Sequence, residues 1–495
     1  MSSEYSIKDA TPAQNKLLEE IASKFDVKEE QLLEISDDVY RSVTEGLKGE
    51  EEETDGSGLP CLVSYIKSEI TRDIREAERS ERVALGMTIN TSTNRIKLAS
   101  VRFVQGAPDA INKQIFYLPD GGPESAAALF EDAVTHVAQF INSHDLVPDA
   151  AATAAAAATT VAGGSQQQQQ QQQVMSMGVT IDLPMEETSK SGGHVICHTA
   201  TCDRVLSNVD LAHTLNAVML KKHLPVRVTS TSNCVISTLV AAQHHFHSTC
   251  VALILNRGIN ASYYERASRV PKLRGTELGG SSDARVAINT EIARYGEHSA
   301  VLTPTMWDHR IDRESANTGH HTFEKLVADK YLGEIVRNLI TDFMDSRLIF
   351  PPDADVSMFS TPYSFFSSYM TIMEDSSADL NDVGALLRAG FNVDASLVDR
   401  RIVSLLCRIV AMRAAKLVGG AVVGLVRRAT EAMDAPGPAV ISISGQLTEM
   451  NQPYLECTME TAKRVALLAG LQEPVFNVLG EDGYTVGAAL SSLSK

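Results

Sequence analysis

Residues 224–240 read LPVRVTSTSNCVISTLV. Pro225 and the alternating Val226 and Val228 open a strand-like run, the polar TSTSN makes a turn, and VISTLV opens an apolar stretch with helical character. A strand that ends in a polar turn and passes into a helix is the repeating element of α/β proteins, and such turns carry their catalytic groups. Cys234 lies at the centre of this one. Either its thiol is the reactive group or it stands where another group belongs.

The neighbouring segments extend the same pattern. MGVTIDLP (177–184) and STCVALILNRG (248–258) read as strands, as do RVALGMTIN, RIKLASVRFVQ and KQIFYLP between residues 82 and 119. PESAAALFEDAVTHVAQFINSH then places Leu129, Phe130, Ala133, Val134, Val137, Phe140 and Ile141 on one helical face, so the strands are covered by a helix. Downstream, FEKLVADKYLGEIVRNLITDFMDS predicts one long amphipathic helix. Residues 401–427 are apolar all round and interrupted by Arg401, Arg408, Arg413 and Lys416, which predicts a helix buried between other elements. PAVISIS reads as a final strand before a closing helical stretch.

The amino-terminal segment, residues 15–49, has charged residues between helically spaced apolar ones and predicts two or three amphipathic helices; EEEETDGSG (50–58) reads as a solvated linker. Residues 150–174 are almost entirely Ala, Thr and Gln, a composition that buries too little area to offset chain entropy and predicts a disordered insertion. A sharper reading makes the Gln tract a contact for protein partners.

The chain of 495 residues carries 44 Lys and Arg against 62 Asp and Glu, a net charge of −18. This excess repels nucleic-acid phosphates and anionic membrane surfaces and argues against both as direct partners. Seven scattered cysteines form no CxxC pair, which fits a reducing compartment without disulfides. With no apolar signal core and no run of 18 apolar residues, the expected location is the cytoplasm, with the nucleus as second choice.

Chemistry-bearing clusters are sparse. His244, His245 and His247 near Cys250 look metal-like, but imidazoles at that spacing do not converge from one helix face, so no metal site is expected. His320 and His321 are adjacent, point apart and read as a solvated loop. Glu291 and Glu324 are single acids that composition alone would assign to the surface. LNRGINA has one glycine and GEDGYTVGAAL three, too few or too spread for a phosphate-binding fingerprint.

Order and motifs together resemble the hexokinase family in its fungal form. IDRESANTGHHTFEKLVADKYLGEIVRNLI follows the family pattern D-x-x-S-x-N-P-G-x-x-x-(F/Y)-E-K without a gap. INTEIARYG is similar to N-T-E-W-G-A-F-G, LNRGINASYYE to G-T-G-T-N-A-x-Y, GVTIDLP to G-F-T-F-S-F-P and EDGYTVGAAL to E-D-G-S-G-K-G-A-A-L. The N-terminal LEEIASKFDVKEEQLLEISDDV follows the fungal enzymes too.

The resemblance implies an α/β protein with the two-lobed actin-like ATPase fold, ribonuclease H-like mixed sheets flanked by helices, and a sugar cleft between the lobes. It divides the chain into an N-terminal helical segment (1–48), a small lobe (59–228) holding the 150–174 insertion, a large lobe (229–465) and a C-terminal helix returning to the small lobe (466–495). Carried over by position, the sugar-binding residues are Thr199, Asn233, Asn260, Glu291 and Glu324. Two ring positions are altered, Ala200 in place of a lysine and Asp182 in place of a serine, where it would bring charge among neutral hydroxyls.

The family motif N-D-T-V-G-T aligns on Asn233–Thr238, so Cys234 occupies the position of the catalytic aspartate. A thiol with a reference pKa of about 8.5 is mostly protonated at neutral pH and is a poor proton acceptor. The nucleotide-binding positions are degenerate as well. Asn90 stands near the magnesium-associated aspartate of the first phosphate loop, Asn256 and Gly258 in the second, Gly445 in an adenosine segment and Gly483 in the closing one. Phosphoryl transfer rests on positioning and charge stabilisation, so losing loop and base together predicts a rate near background.

Three readings follow. The first is a non-catalytic, regulatory or sugar-sensing relative that binds a hexose. The second is an active kinase of hexoses or N-acetylhexosamines, for which ATP and Mg would be the cofactors, and the third is a scaffold binding neither ligand.

Overall fold

The computed structural model describes residues 5–48, 56–68, 76, 82–103, 110–118, 124–146, 174–196, 206–276, 278–279, 284–373, 378–433, 437–480 and 483–493. Thr199, Ala200 and nearly all of the Ala/Gln segment lie outside them. The chain divides into two compact units. The first comprises Met1–Cys61, Ser248–Asp283 and Asn289–Glu481, and the second Leu62–His247, Ala284–Ile288 and Asp482–Lys495.

The second unit is built on a five-stranded mixed sheet, whose spatial order is Ala110–Tyr117, Arg95–Arg102, Val83–Asn90, Met175–Ile181, Val226–Asn233. The first three strands pair antiparallel and the last two join in parallel. Strands that read as near-continuous apolar runs are buried on both faces. Leu85, Met87, Ile89, Met177, Val179 and Ile181 form one core with Phe130, Val134, Val137 and Phe140 of the helix Ala126–Ser143, the face expected from its spacing. Ser125 caps that helix by accepting from the Ala128 N–H. The closing helix Gly483–Ser491 packs on the strand Val83–Asn90 and on the helix Cys234–His245, and Thr88 and Thr485 meet hydroxyl to hydroxyl at 2.7 Å.

In the first unit, Thr249–Leu255 pairs antiparallel with Ile259–Arg266 and parallel with Val440–Ser444, which pairs in turn with Val475–Leu479. The helix Leu397–Met433 runs through this unit with the helices Pro12–Phe25, Glu29–Gly46 and Gln452–Leu468 packed against it. By length and composition it could cross a membrane, yet 89% of its most apolar window is buried within the fold. Its one-sided pattern is lost because neighbours cover every side. Two polar anchors cross this core. Arg413 pairs with both oxygens of Asp308 at 2.6 and 2.8 Å, and Arg428 Nε meets Glu265 at 2.7 Å.

The helix expected over 323–346 is instead two, Thr322–Val327 and Asp329–Asp345. Ala328 is extended, with φ −85° and ψ 148°. The break has a tertiary cause, since the N–H groups of Asp329 and Lys330 donate to the carbonyls of Asn256 and Arg257. Helical spacing carries no trace of that contact.

Candidate functional site

In the first unit the site begins at the loop 256–258, a tight connection between Thr249–Leu255 and Ile259–Arg266 that is closed by the Asn256 N–H on the Gly258 carbonyl. It presents Asn260, whose side-chain amide donates to Asn289 Oδ1 at 3.0 Å and to Glu291 Oε1 at 2.9 Å. Asn289 Nδ2 donates to the same Glu291 oxygen at 2.8 Å. One carboxylate is thus held by two amides.

Glu291 sits at φ 52°, ψ 45°, the left-handed region that a residue with a Cβ enters at a cost, and its N–H is anchored on Asn289 Oδ1. Burial raises its carboxyl pKa above the usual range. The Asn289 and Asn260 amides oppose that shift, while the charge of Glu324 adds to it. Both hydrogen bonds fall on Oε1.

Glu324 lies in the first turn of Thr322–Val327, with its carboxylate 3.6 Å from His321 Nδ1. His321 is also left-handed, at φ 55°. Burial lowers its pKa, but the Glu324 hydrogen bond and the charges of Glu324, Glu291 and Glu297 outweigh burial and raise it overall. The two histidines differ in exposure. His320 is the exposed member, 3.5 Å from Glu297, whereas His321 is one-quarter exposed and faces the acids, which corrects its reading as part of a solvated loop.

Gly258 borders this cluster. A Cβ on it would lie 2.6 Å from Glu324 Oε2, so the glycine makes room for the carboxylate. Gly445 is at φ 124°, and a Cβ there would meet the Leu255 carbonyl oxygen at 2.1 Å.

In the second unit Cys234 is the first residue of the helix Cys234–His245 and is 7% exposed. Burial pushes its thiol pKa far up and the charge of Asp182 pushes it further, while Thr180 and Lys97 only partly oppose this. A helix N-terminus ordinarily favours a thiolate, but desolvation wins here. Asn233 caps that helix, accepting the Val235 N–H at 2.9 Å and donating from Nδ2 to the Leu183 carbonyl at 2.8 Å, so most of its amide is committed to local structure.

The turn 91–94 joins the strands Val83–Asn90 and Arg95–Arg102. Asn90 Oδ1 accepts from the Ser92 hydroxyl, the Thr93 N–H and the Thr93 hydroxyl at 2.9, 2.9 and 2.7 Å. Asp182 Oδ1 accepts from the Thr91 N–H and hydroxyl at 2.9 and 3.0 Å, and Oδ2 from the Ser92 N–H at 3.0 Å. The carboxylate expected among sugar hydroxyls is therefore bound to this turn, because three donors lie within its reach. Gly483 opens the closing helix.

Lys97 and Asn289 were not singled out by sequence reasoning. Lys97 is 3% exposed and lies 5.2 Å from the ring of Tyr484. A lysine between Ile96 and Leu98 in a strand-like run was its only signal.

Two family models, both described as hexokinase, match residues 17–244 and 250–494. The chain is 32% identical to Hexokinase-7 of Oryza sativa subsp. japonica over 321 residues, covering 63% of this chain and 67% of that protein. The match to a second rice hexokinase spans 63% of its length. The chain is 28% identical to Hexokinase-1 of Nicotiana tabacum, covering 97% of this chain and 90% of that one. The hexokinase from Schistosoma mansoni complexed with glucose superposes with a TM-score of 0.76 at 21% identity, covering 97% of this chain and all of that one, which establishes the fold. From the paired family matches and the shared mixed-sheet architecture, the chain belongs to the hexokinase family.

Proposed function

We propose that this protein binds a hexose through Asn260, Glu291 and Glu324 and does not phosphorylate it, acting as a sugar-responsive regulatory member of its family. The observation that carries the reading is a contrast between two sites. The acid–amide cluster is ordered, with Glu291 Oε1 held by two amides. The residue at the proton-acceptor position, Cys234, is a buried thiol whose pKa is driven up.

A carboxylate held by amides, with Glu291 Oε2 left for a ligand, suits the neutral hydroxyls of a sugar, which donate to an acid at little desolvation cost. A protonated thiol cannot take the hydroxyl proton that must leave when the oxygen attacks phosphorus. Mg-ATP is the cofactor that family membership implies. The turn 91–94 does not fit it, since Asp182 and Asn90 already hold the donors of Thr91, Ser92 and Thr93.

A cytoplasmic location and a protein partner that responds to the sugar-bound form belong to the same proposal. The test is calorimetric titration with glucose, other hexoses and N-acetylhexosamines, paired with an ADP-release assay. Saturable binding without turnover supports the reading. Turnover on any of these sugars makes the protein a kinase, and no binding at millimolar sugar leaves the scaffold reading.

A further inference from the structure

We infer that Asp182 is a built-in anion that occupies the donor groups of the turn 91–94, and that this one carboxylate excludes phosphoryl groups from the loop. The inference rests on the proposed function and deepens it by naming the residue that sets ligand class at this position.

The two oxygens of Asp182 divide the donors as two oxygens of a phosphate would, Oδ1 on Thr91 and Oδ2 on Ser92. Successive backbone N–H groups in a turn form an anion-binding concavity, and a carboxylate satisfies them with charge-assisted bonds. Asn90 completes the closure by holding both donors of Thr93 and the hydroxyl of Ser92. An incoming phosphate would have to displace the carboxylate and then lie beside it, like charge against like charge. A serine or asparagine at position 182 has no such charge, so the amides would be open to an external anion.

The anchorage is specified by the fold. Asp182 directly follows the strand Met175–Ile181, which pairs in parallel with Val83–Asn90, the strand that runs into the turn. The Asp182 N–H also donates to the Ile89 carbonyl, so backbone and side chain hold the same strand end. No rearrangement is needed to keep the loop filled.

The test compares the unaltered protein with Asp182→Ser and Asp182→Asn, titrated with ATP, inorganic pyrophosphate and adenosine and checked for cooperative melting. Both variants should gain affinity for ATP and pyrophosphate by about tenfold or more, the worth of one charge-assisted contact, with adenosine unchanged. An absent gain in both folded variants overturns the inference, and so does an equal gain for adenosine, which would signal general loosening. Hydrogen exchange on the unaltered chain tests it without any substitution. The Thr91 and Ser92 amides should stay protected and be unmoved by ATP, and an ATP-induced change at either one contradicts it. Turnover by the unaltered chain would sink the proposed function, whereas failure of the Asp182 variants alone sinks only this inference.

Discussion

Gly258 and Glu324 share one space: a methyl group on Gly258 would stand 2.6 Å from the Glu324 Oε2. That contact is shorter than van der Waals distance, so the carboxylate must turn away if position 258 gains a side chain. Gly258→Ala should therefore weaken sugar binding roughly tenfold, the loss of about one hydrogen bond to a charged group. Its melting temperature should move little, because the displaced atoms are the end of a partly exposed side chain. Calorimetric titration with glucose beside a thermal melt reads both effects, and unchanged affinity would remove Glu324 from the sugar site.

Cys234→Asp supplies a carboxylate at the proposed proton-acceptor position, yet its turnover should stay at background. The new carboxylate would be buried near Asp182, and the turn 91–94 would still be filled. A coupled ADP-release assay checks this. A rise to the rate of an ordinary hexokinase would show that the missing base was the whole defect.

The Asp308–Arg413 pair predicts a pH-dependent stability. Burial alone would raise the Asp308 pKa, but the charge and hydrogen bonds of Arg413 with those of Thr305 pull it below its ordinary value of 3.8. The carboxyl ionises more readily folded than unfolded, so its stabilisation is present above that ordinary value and is lost as pH falls through the lower folded one. Asp308→Ala leaves a buried guanidinium without its partner and should cost about 3–5 kcal/mol near neutrality. The gap to the unaltered protein in urea unfolding should narrow as the pH is lowered.

Glu187 predicts the opposite slope. Burial pushes its carboxyl up to about 8, against the hydrogen bonds it accepts from the Ser64 hydroxyl and the Tyr65 N–H. Its protonated form is favoured in the fold, so the contribution is full below its ordinary 4.5 and is lost as pH rises through about 8. Glu187→Gln should flatten this part of the stability profile, measured as urea midpoints across that range. An unchanged profile would mean that the carboxyl is solvated.

Much of the architecture was legible because periodicity reports burial. The helix Ala126–Ser143 buries the seven side chains that its spacing marks, and the apolar run at 401–427 is a core helix. The long helix was broken at Ala328 by two hydrogen bonds to a distant loop, which local pattern cannot contain. The strand Val475–Leu479 was missed because it is mostly exposed or half-exposed and carries little alternation.

The site was legible unevenly for a related reason. Glu291 and Glu324 could be reached only through family motifs, because a functional acid and a surface acid look alike in composition. Asp182 was singled out from the sequence, but its partners were not legible there, since the donors it meets come from a turn some 90 residues earlier. His321 showed no sign of its acidic neighbours, which reach it through folding alone.

The most direct test of the central claim is ADP release by the purified protein with Mg-ATP and saturating glucose. Release should be no faster than ATP hydrolysis without sugar. Sugar-dependent release at the speed of an ordinary hexokinase would contradict it.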